Sequence, residues 1–317
     1  MKLKTTISLL PVGLLAILAT LSSSCSKDVD RPLSATGLVQ GLNSQAATTT
    51  FAEAKSYQAA GKTKEAIKAY QEVADDYPLS AQAPEARYQE GSLLYAQGEL
   101  LESFDAFQKF IVKYKSSNLY SAAIQKQSEV ALAAAKGDIS HNFIGLKSKL
   151  AGKTVEKMLT QVRENAPYSK QAPKAQFAIG TVWQDRGDKD RAVSGYQGVQ
   201  ERYPNSSLTP EALYRAGSLL MSQAAKGNRN RASLDSARNV FLDLQQQYPS
   251  HPRAKDAKAK LAELSKSDVQ RSFDIAEFYL DKGQTASAAF YYREVIRMSS
   301  AGSLRDKAKR RLTELGQ

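Results

Sequence analysis

Apolar and aromatic positions recur along this chain at helical spacing, and the whole set then recurs at a longer interval. Ala54, Tyr57, Gly61, Ala66, Tyr70, Val73 and Tyr77-Pro78 form one set. Gly180, Trp183, Gly187, Ala192, Tyr196, Val199 and Tyr203-Pro204 form another with identical offsets. Such a pattern predicts tandem pairs of amphipathic helices rather than one globular core. A glycine closes each first helix (Gly61, Gly98, Gly187, Gly283), because it accepts the left-handed conformation that turns the chain. A small residue five places later (Ala66, Ala192, Ala288) lets the second helix approach closely. A proline after the second helix stops it from continuing.

This is the logic of a tetratricopeptide repeat, here with a longer interval: Tyr77 returns as Tyr114, and Pro167 as Pro204, 37 residues on. The predicted fold is all-α, a right-handed superhelix of about six helical hairpins over residues 47–317. The third hairpin is degenerate. Its second helix carries Val155, Leu159 and Val162, its first lies near Ser121–Ala135, and residues 137–152 are inserted between them. The fifth carries a polar, basic insertion, Lys226 to Arg231, read as a surface loop or a helix extension. A helical stretch from Pro252 to Lys266 is expected to run on into Val269–Asp281 as one long helix. Ser303 to Leu315 is a capping helix, with Leu304, Ala308, Leu312 and Leu315 on one face.

The first 24 residues have the parts of an export signal: basic Lys2 and Lys4, an apolar run from Ile7 to Leu21, then Leu21-Ser-Ser-Ser-Cys25. The last segment resembles a bacterial lipobox, in which the cysteine becomes the acylated (palmitate-type) N-terminus of the mature chain. The other reading is an ordinary signal peptide cut near Ser24. Cys25 is the only cysteine, and an exported chain gains little from one unpaired thiol, which favours acylation. Ser26, rather than Asp, favours the outer membrane. Residues 25–46 then read as the lipidated cysteine and a flexible tether reaching roughly 25 Å.

The 317 residues carry a formal charge of +12, of which Lys2 and Lys4 belong to the leader. No catalytic constellation stands out. The two histidines, His141 and His251, are far apart, have no cysteine partner, and read as solvated loop residues. Asp185, Asp188 and Asp190 alternate with Arg186, Lys189 and Arg191, as in a solvated turn. With no phosphate-cradling glycine loop and no nucleophile elbow, neither enzyme activity, metal nor cofactor is expected. The basic run Arg305 to Arg311 invites a nucleic-acid reading, which the export signal opposes. It reads as the polar face of a capping helix, or as a surface for anionic lipid or an acidic partner. An aromatic stands three residues before the small residue of each first helix: Phe51, Tyr88, Phe177, Tyr214 and Phe273. Packing between neighbouring repeats and a peptide-binding groove are both open to this series.

The tandem Tyr-Pro-x-Ser loops, the interval and the lipobox-like cysteine together resemble the BamD (YfiO) family of outer-membrane assembly lipoproteins. The best local match is the last hairpin, Phe273-Asp-Ile-Ala-Glu-Phe-Tyr-Leu-Asp-Lys-Gly283 with Ala288-Ala-Phe-Tyr-Tyr-Arg-Glu-Val-Ile296. Residues 172–180 resemble the family's divergent members. Six hairpins instead of five, and the two insertions, depart from its pattern. The resemblance implies a non-enzymatic scaffold, lipid-anchored on the periplasmic face of the outer membrane. Its partners would be the β-barrel assembly machinery and unfolded barrel proteins, with no nucleic acid. A periplasmic adaptor of the CpoB (YbgF) type is the alternative, although no coiled-coil heptads precede Ala47.

Overall fold

The computed structural model describes residues 37–137, 140–143, 146–226 and 231–317. Cys25, the leader and most of the tether lie outside them. The repeat unit, Leu42–Gln317, is an all-α stack of six helical hairpins and a closing helix. The pairs are α1 (Gly37–Ala59) with α2 (Thr63–Asp76), α3 (Ala83–Gln97) with α4 (Leu100–Lys113), and α5 (Tyr120–Lys136) with α6 (Gly152–Asn165). They continue with α7 (Ala172–Asp185) and α8 (Lys189–Arg202), then α9 (Thr209–Lys226) and α10 (Arg231–Gln247). The last pair is α11 (Pro252–Asp281) and α12 (Thr285–Met298), capped by α13 (Ser303–Glu314).

Two local devices repeat. At the end of the first helix, Gly61, Gly98, Gly187 and Gly283 adopt φ of +71°, +83°, +79° and +71°. The next residue donates its N–H back across the turn: Lys62 to Tyr57, Glu99 to Leu94, Asp188 to Trp183, and Gln284 to Tyr279, at 2.9–3.0 Å. These bonds satisfy carbonyls that the helix end would otherwise leave bare. Between hairpins the chain makes one recurring turn, in which the N–H of Ser80, Ser117, Ser169, Ser206 and His251 bonds the carbonyl three residues earlier. Proline at the start of α3, α7 and α11 then fixes the direction of the next helix.

The small positions lie where the two helices of a hairpin cross. Ala66, Ala192 and Ala288 are fully buried. A Cβ added to Gly180 would fall 2.5 Å from the Tyr196 ring, and one on Gly217 would fall 2.7 Å from Phe241. Each second-helix aromatic therefore occupies the room left by a missing or short side chain on the first helix.

Three features differ from the sequence reading. α1 begins at Gly37, so residues 37–46 are helical where a tether was read. The insertion in hairpin three forms an antiparallel pair of short strands, β1 (Ser140–Phe143) and β2 (Leu146–Lys149), with His141 paired to Ser148. His141 is thus in a strand rather than a loop. His251 lies in the inter-hairpin turn, partly exposed, and is also the N-cap of α11, its Nδ1 accepting from the Arg253 N–H at 3.2 Å. Of the insertion in hairpin five, Lys226 ends α9 and Arg231 begins α10, and residues 227–230 lie outside the described residues. The expected long helix is α11, 30 residues in one piece.

The apolar interior falls into a large central cluster and one at each end. α11 joins two of them, burying Ala257 and Leu264 in the central cluster and Val269 and Ala276 in the C-terminal one. Between hairpins two, three and four and their predecessors runs a buried polar seam. Arg87 and Gln176 hold equivalent places on α3 and α7, Gln127 of α5 stands one turn further along its helix, and each is buried. Arg87 pairs with Asp75 of α2 and, at 2.6 Å, with Glu90. Gln127 donates to Gln108 of α4 at 2.6 Å and accepts from Asn165 at 2.8 Å. Gln176 accepts from Arg163 of α6 and donates to the Gly195 carbonyl at 2.8 Å. Polar groups withdrawn from water in this way fix which hairpin meets which.

Candidate protein-binding surfaces

Every member of the aromatic series packs first within its own hairpin. Phe51 lies 5.7 Å from Tyr70, Tyr88 5.7 Å from Phe107, and Phe177 5.2 Å from Tyr196, ring centre to ring centre. Tyr214 lies 6.1 Å from Phe241 and Phe273 5.7 Å from Tyr292. Edge and tilted pairs of this kind contribute about 0.5–1.5 kcal/mol each beyond their burial. All five rings are half-buried, so each also keeps a face that can meet something else.

What meets that face divides the series. The Arg215 guanidinium stands 5.2 Å over Phe177, and Arg253 stands 4.4 Å over Tyr214. Both arginines are held by one carboxylate, Glu211, at 2.8 and 2.6 Å, and Arg253 also reaches Asp256 at 2.8 Å. Partial burial pushes the Glu211 pKa up, but the hydrogen bonds from Arg253 and Arg215 outweigh it and leave the group below its ordinary value. Phe177 and Tyr214 are thereby covered by cations of the following helices. Phe51 has Lys55 at 5.2 Å. Among the described residues no cation stands over Tyr88 or Phe273. Phe273 borders a cavity of about 300 Å³ lined also by Glu277, Lys307, Arg310, Arg311 and Glu314.

The basic run at the C-terminus is partly structural. Arg305 donates to the carbonyls of Ile296 and Ser299 at the end of α12, where a cation complements the helix dipole. Arg311 pairs with Glu277 at 3.2 Å and Glu314 at 3.0 Å. Lys307 and Arg310 carry no ion pair among the described residues and face the cavity beside Phe273. The acidic turn is accounted for likewise: Asp188 caps α8 by accepting from Arg191 N at 3.1 Å, and Asp190 accepts from Gln223 at 2.7 Å. No group of three or more potential metal ligands occurs among the described residues.

One surface was not singled out from the sequence. On hairpin six, Phe278 and Phe290 are 57% and 56% exposed. They flank Tyr279 and Tyr291, whose rings stack at 5.6 Å and 11°. Lys282 lies 5.8 Å from the Phe278 ring centre. The signal was in α12, where Phe290-Tyr291-Tyr292 puts three aromatics in succession. One helix face can bury only part of such a run. Tyr292 goes inward and Phe290 outward.

Helical hairpins stacked through the recurring glycine turn and small crossing residues define a tetratricopeptide-repeat fold. A tetratricopeptide-repeat family model matches residues 51–118. The model of the YfiO family, described as outer membrane lipoprotein, matches residues 146–306, just over half of the sequence, and the chain belongs to that family. Two relatives are outer membrane protein assembly factors BamD. The one from Caulobacter vibrioides is 28% identical over 128 residues, 40% of this chain and 40% of its own length. The one from Neisseria gonorrhoeae is 23% identical over 140 residues, 41% of this chain and 52% of its own. The chain thus spans about half the length, or less, of these relatives. Among solved structures, MamA aligns with 63% of this chain and 91% of its own at 15% identity, with a TM-score of 0.33. A tetratricopeptide repeat protein from Parabacteroides merdae aligns with 86% of this chain and 100% of its own at 12% identity, with a TM-score of 0.32.

Proposed function

We propose that this chain is a non-enzymatic, BamD-like scaffold that serves β-barrel assembly at the outer membrane. The observation that carries the reading is the match of residues 146–306 to the YfiO lipoprotein family. Residues 1–24 would be the lipoprotein signal, Cys25 the acylated anchor, and the segment after it the tether to a repeat domain on the periplasmic face. No helix among the described residues is long and apolar enough to cross a membrane.

Two surfaces suit the two kinds of partner. The exposed Phe278–Phe290 patch, in the hairpin with the best local resemblance to the family, suits a folded component of the assembly machinery. Contact there would remove large apolar side chains from water and supply the aromatic anchors on which interfaces depend. Tyr88 and Phe273, the series members with no cation over the ring, suit apolar and aromatic side chains of an unfolded barrel's C-terminal segment. Phe51, Phe177 and Tyr214 take the packing role.

Membrane fractionation of Cys25→Ala tests the anchor. The variant is expected in the soluble periplasmic fraction, and the wild type in membranes with an added acyl mass. A variant that still sediments, with an unmodified wild type, would overturn the lipoprotein reading and favour a periplasmic adaptor.

A further inference from the structure

A cleft of about 1080 Å³ opens between two successive inter-hairpin loops, and no ring of the aromatic series or of the hairpin-six patch lines it. Its walls are the same turn copied one repeat later: Ala166-Pro167-Tyr168-Ser169 after α6, and Tyr203-Pro204-Asn205-Ser206 after α8. The Tyr168 side chain is fully exposed, 101% relative to a free residue, so the fold does not use it. An aromatic ring left entirely in water beside two prolines is an apolar contact surface without a partner in this chain.

The charge around it is one-sided. Lys170, Lys174, Arg163 and Arg202 line the cleft, against one carboxylate, Glu164. Arg163 is engaged with Gln176 and stands 4.0 Å from Glu164, and Arg202 is 3.4 Å from Glu201. Lys170 and Lys174 have no ion-pair partner among the described residues, and both are exposed. The residue after the helix-opening proline is Glu85 in α3 and Glu211 in α9, but Lys174 in α7 and Arg253 in α11; Arg253 is taken up by Glu211 and Asp256, whereas Lys174 has no ion-pair partner among the described residues.

We propose that this cleft binds an extended acidic protein segment, its carboxylates on Lys170, Lys174 and Arg202 and its apolar side chains against Tyr168, Pro167 and Pro204. Shape favours a peptide over a bilayer, because the cations line a concavity that a flat headgroup layer meets only at its rim. The volume exceeds what a small ligand needs and suits several residues of extended chain. The inference does not depend on the assembly reading: it concerns different residues and a different chemistry.

The test is fluorescence anisotropy with a fluorescein-labelled peptide of alternating Glu and Pro around one Tyr, against the full-length chain in detergent. A peptide with Lys in place of Glu is the control. The acidic peptide is expected to bind, more weakly as salt rises, and the basic one not at all. K170E/K174E should weaken binding about tenfold or more, and Tyr168→Ala should weaken it several-fold. All three positions are exposed, so thermal melts should coincide with wild type. The charge-neutral K170Q/K174Q gives a second check if reversal disturbs folding, and should also weaken binding. Equal affinity for both peptides, or affinity indifferent to these substitutions, would overturn the proposal. So would phosphatidylglycerol vesicles that bind wild type through Lys170 and Lys174 while the acidic peptide does not.

Discussion

Gly195 of α8 rests directly on the backbone of Gly180 in α7: a Cβ at Gly195 would lie 2.6 Å from the Gly180 nitrogen and 2.7 Å from its Cα. The obstacle is main chain, which cannot rotate aside as a side chain can. Gly195→Ala should therefore force the two helices apart and cost about 1–3 kcal/mol. Above the lower end of that range the cost outweighs the roughly 1 kcal/mol that alanine gains over glycine in a helix interior. The melting temperature should fall. Ala192→Leu, at a fully buried site on the same helix, should lower it by a similar mechanism. An unchanged melt for both would mean that α7 and α8 do not cross as described.

Glu211 supplies a pH signature. Its pKa is depressed in the folded chain by Arg253 and Arg215, against the opposing effect of burial. A depressed carboxyl stabilises the fold above its unfolded pKa, and that stability disappears as pH falls through the folded pKa. Glu211→Gln should cost about 1 kcal/mol near neutral pH, since the pairs are only partly shielded from solvent. Paired melts from pH 7 down to about 3 should show the gap between the two proteins closing below about pH 4.3, the ordinary value for glutamate. A gap that stays constant, or widens in acid, would contradict the assignment.

The aromatic series predicts a split in phenotype. Tyr88→Ala should weaken binding of a barrel C-terminal peptide, read by fluorescence titration, with helicity retained. Burial of one such side chain corresponds to about 1.5–3 kcal/mol, or roughly 10- to 100-fold in affinity. Phe177→Ala, whose ring lies under Arg215, should instead lower the melting temperature and leave peptide affinity alone. The same peptide affinity in Tyr88→Ala as in wild type would assign the whole series to packing.

The stack was legible because its rules are local. Gly61 or Gly187 must turn the chain, Ala66 or Ala192 must be small, and the Tyr-Pro turn stops one helix and aims the next. Each is visible within a dozen residues or so, and the repetition multiplies the signal. Less visible was whatever depends on contacts across hairpins. Arg87, Gln127 and Gln176 are polar, and a pattern reading sends polar residues to solvent. Only the neighbouring hairpin, with Asp75, Gln108 or Arg163, makes them interior. Arg215 and Arg253 likewise cover rings of preceding helices, which no periodicity within one helix reveals. The short strands at Ser140–Phe143 and Leu146–Lys149 fell in a segment identified only as an insertion. Exposure of Phe278 and Phe290 could have been suspected from the run of aromatics in α12, but a run does not say which member turns outward.

Whether this chain works in barrel assembly is tested most directly by affinity purification of the full-length protein from detergent-solubilised outer membranes. Wild type is compared with Phe278→Ala/Phe290→Ala, and the β-barrel assembly protein is quantified by mass spectrometry. Both rings are more than half exposed, so the double variant should keep its helicity and its place in the membrane. The barrel assembly protein should co-purify with wild type and be lost, or reduced about tenfold, with the double variant. Its absence from the wild-type preparation would contradict the assembly role.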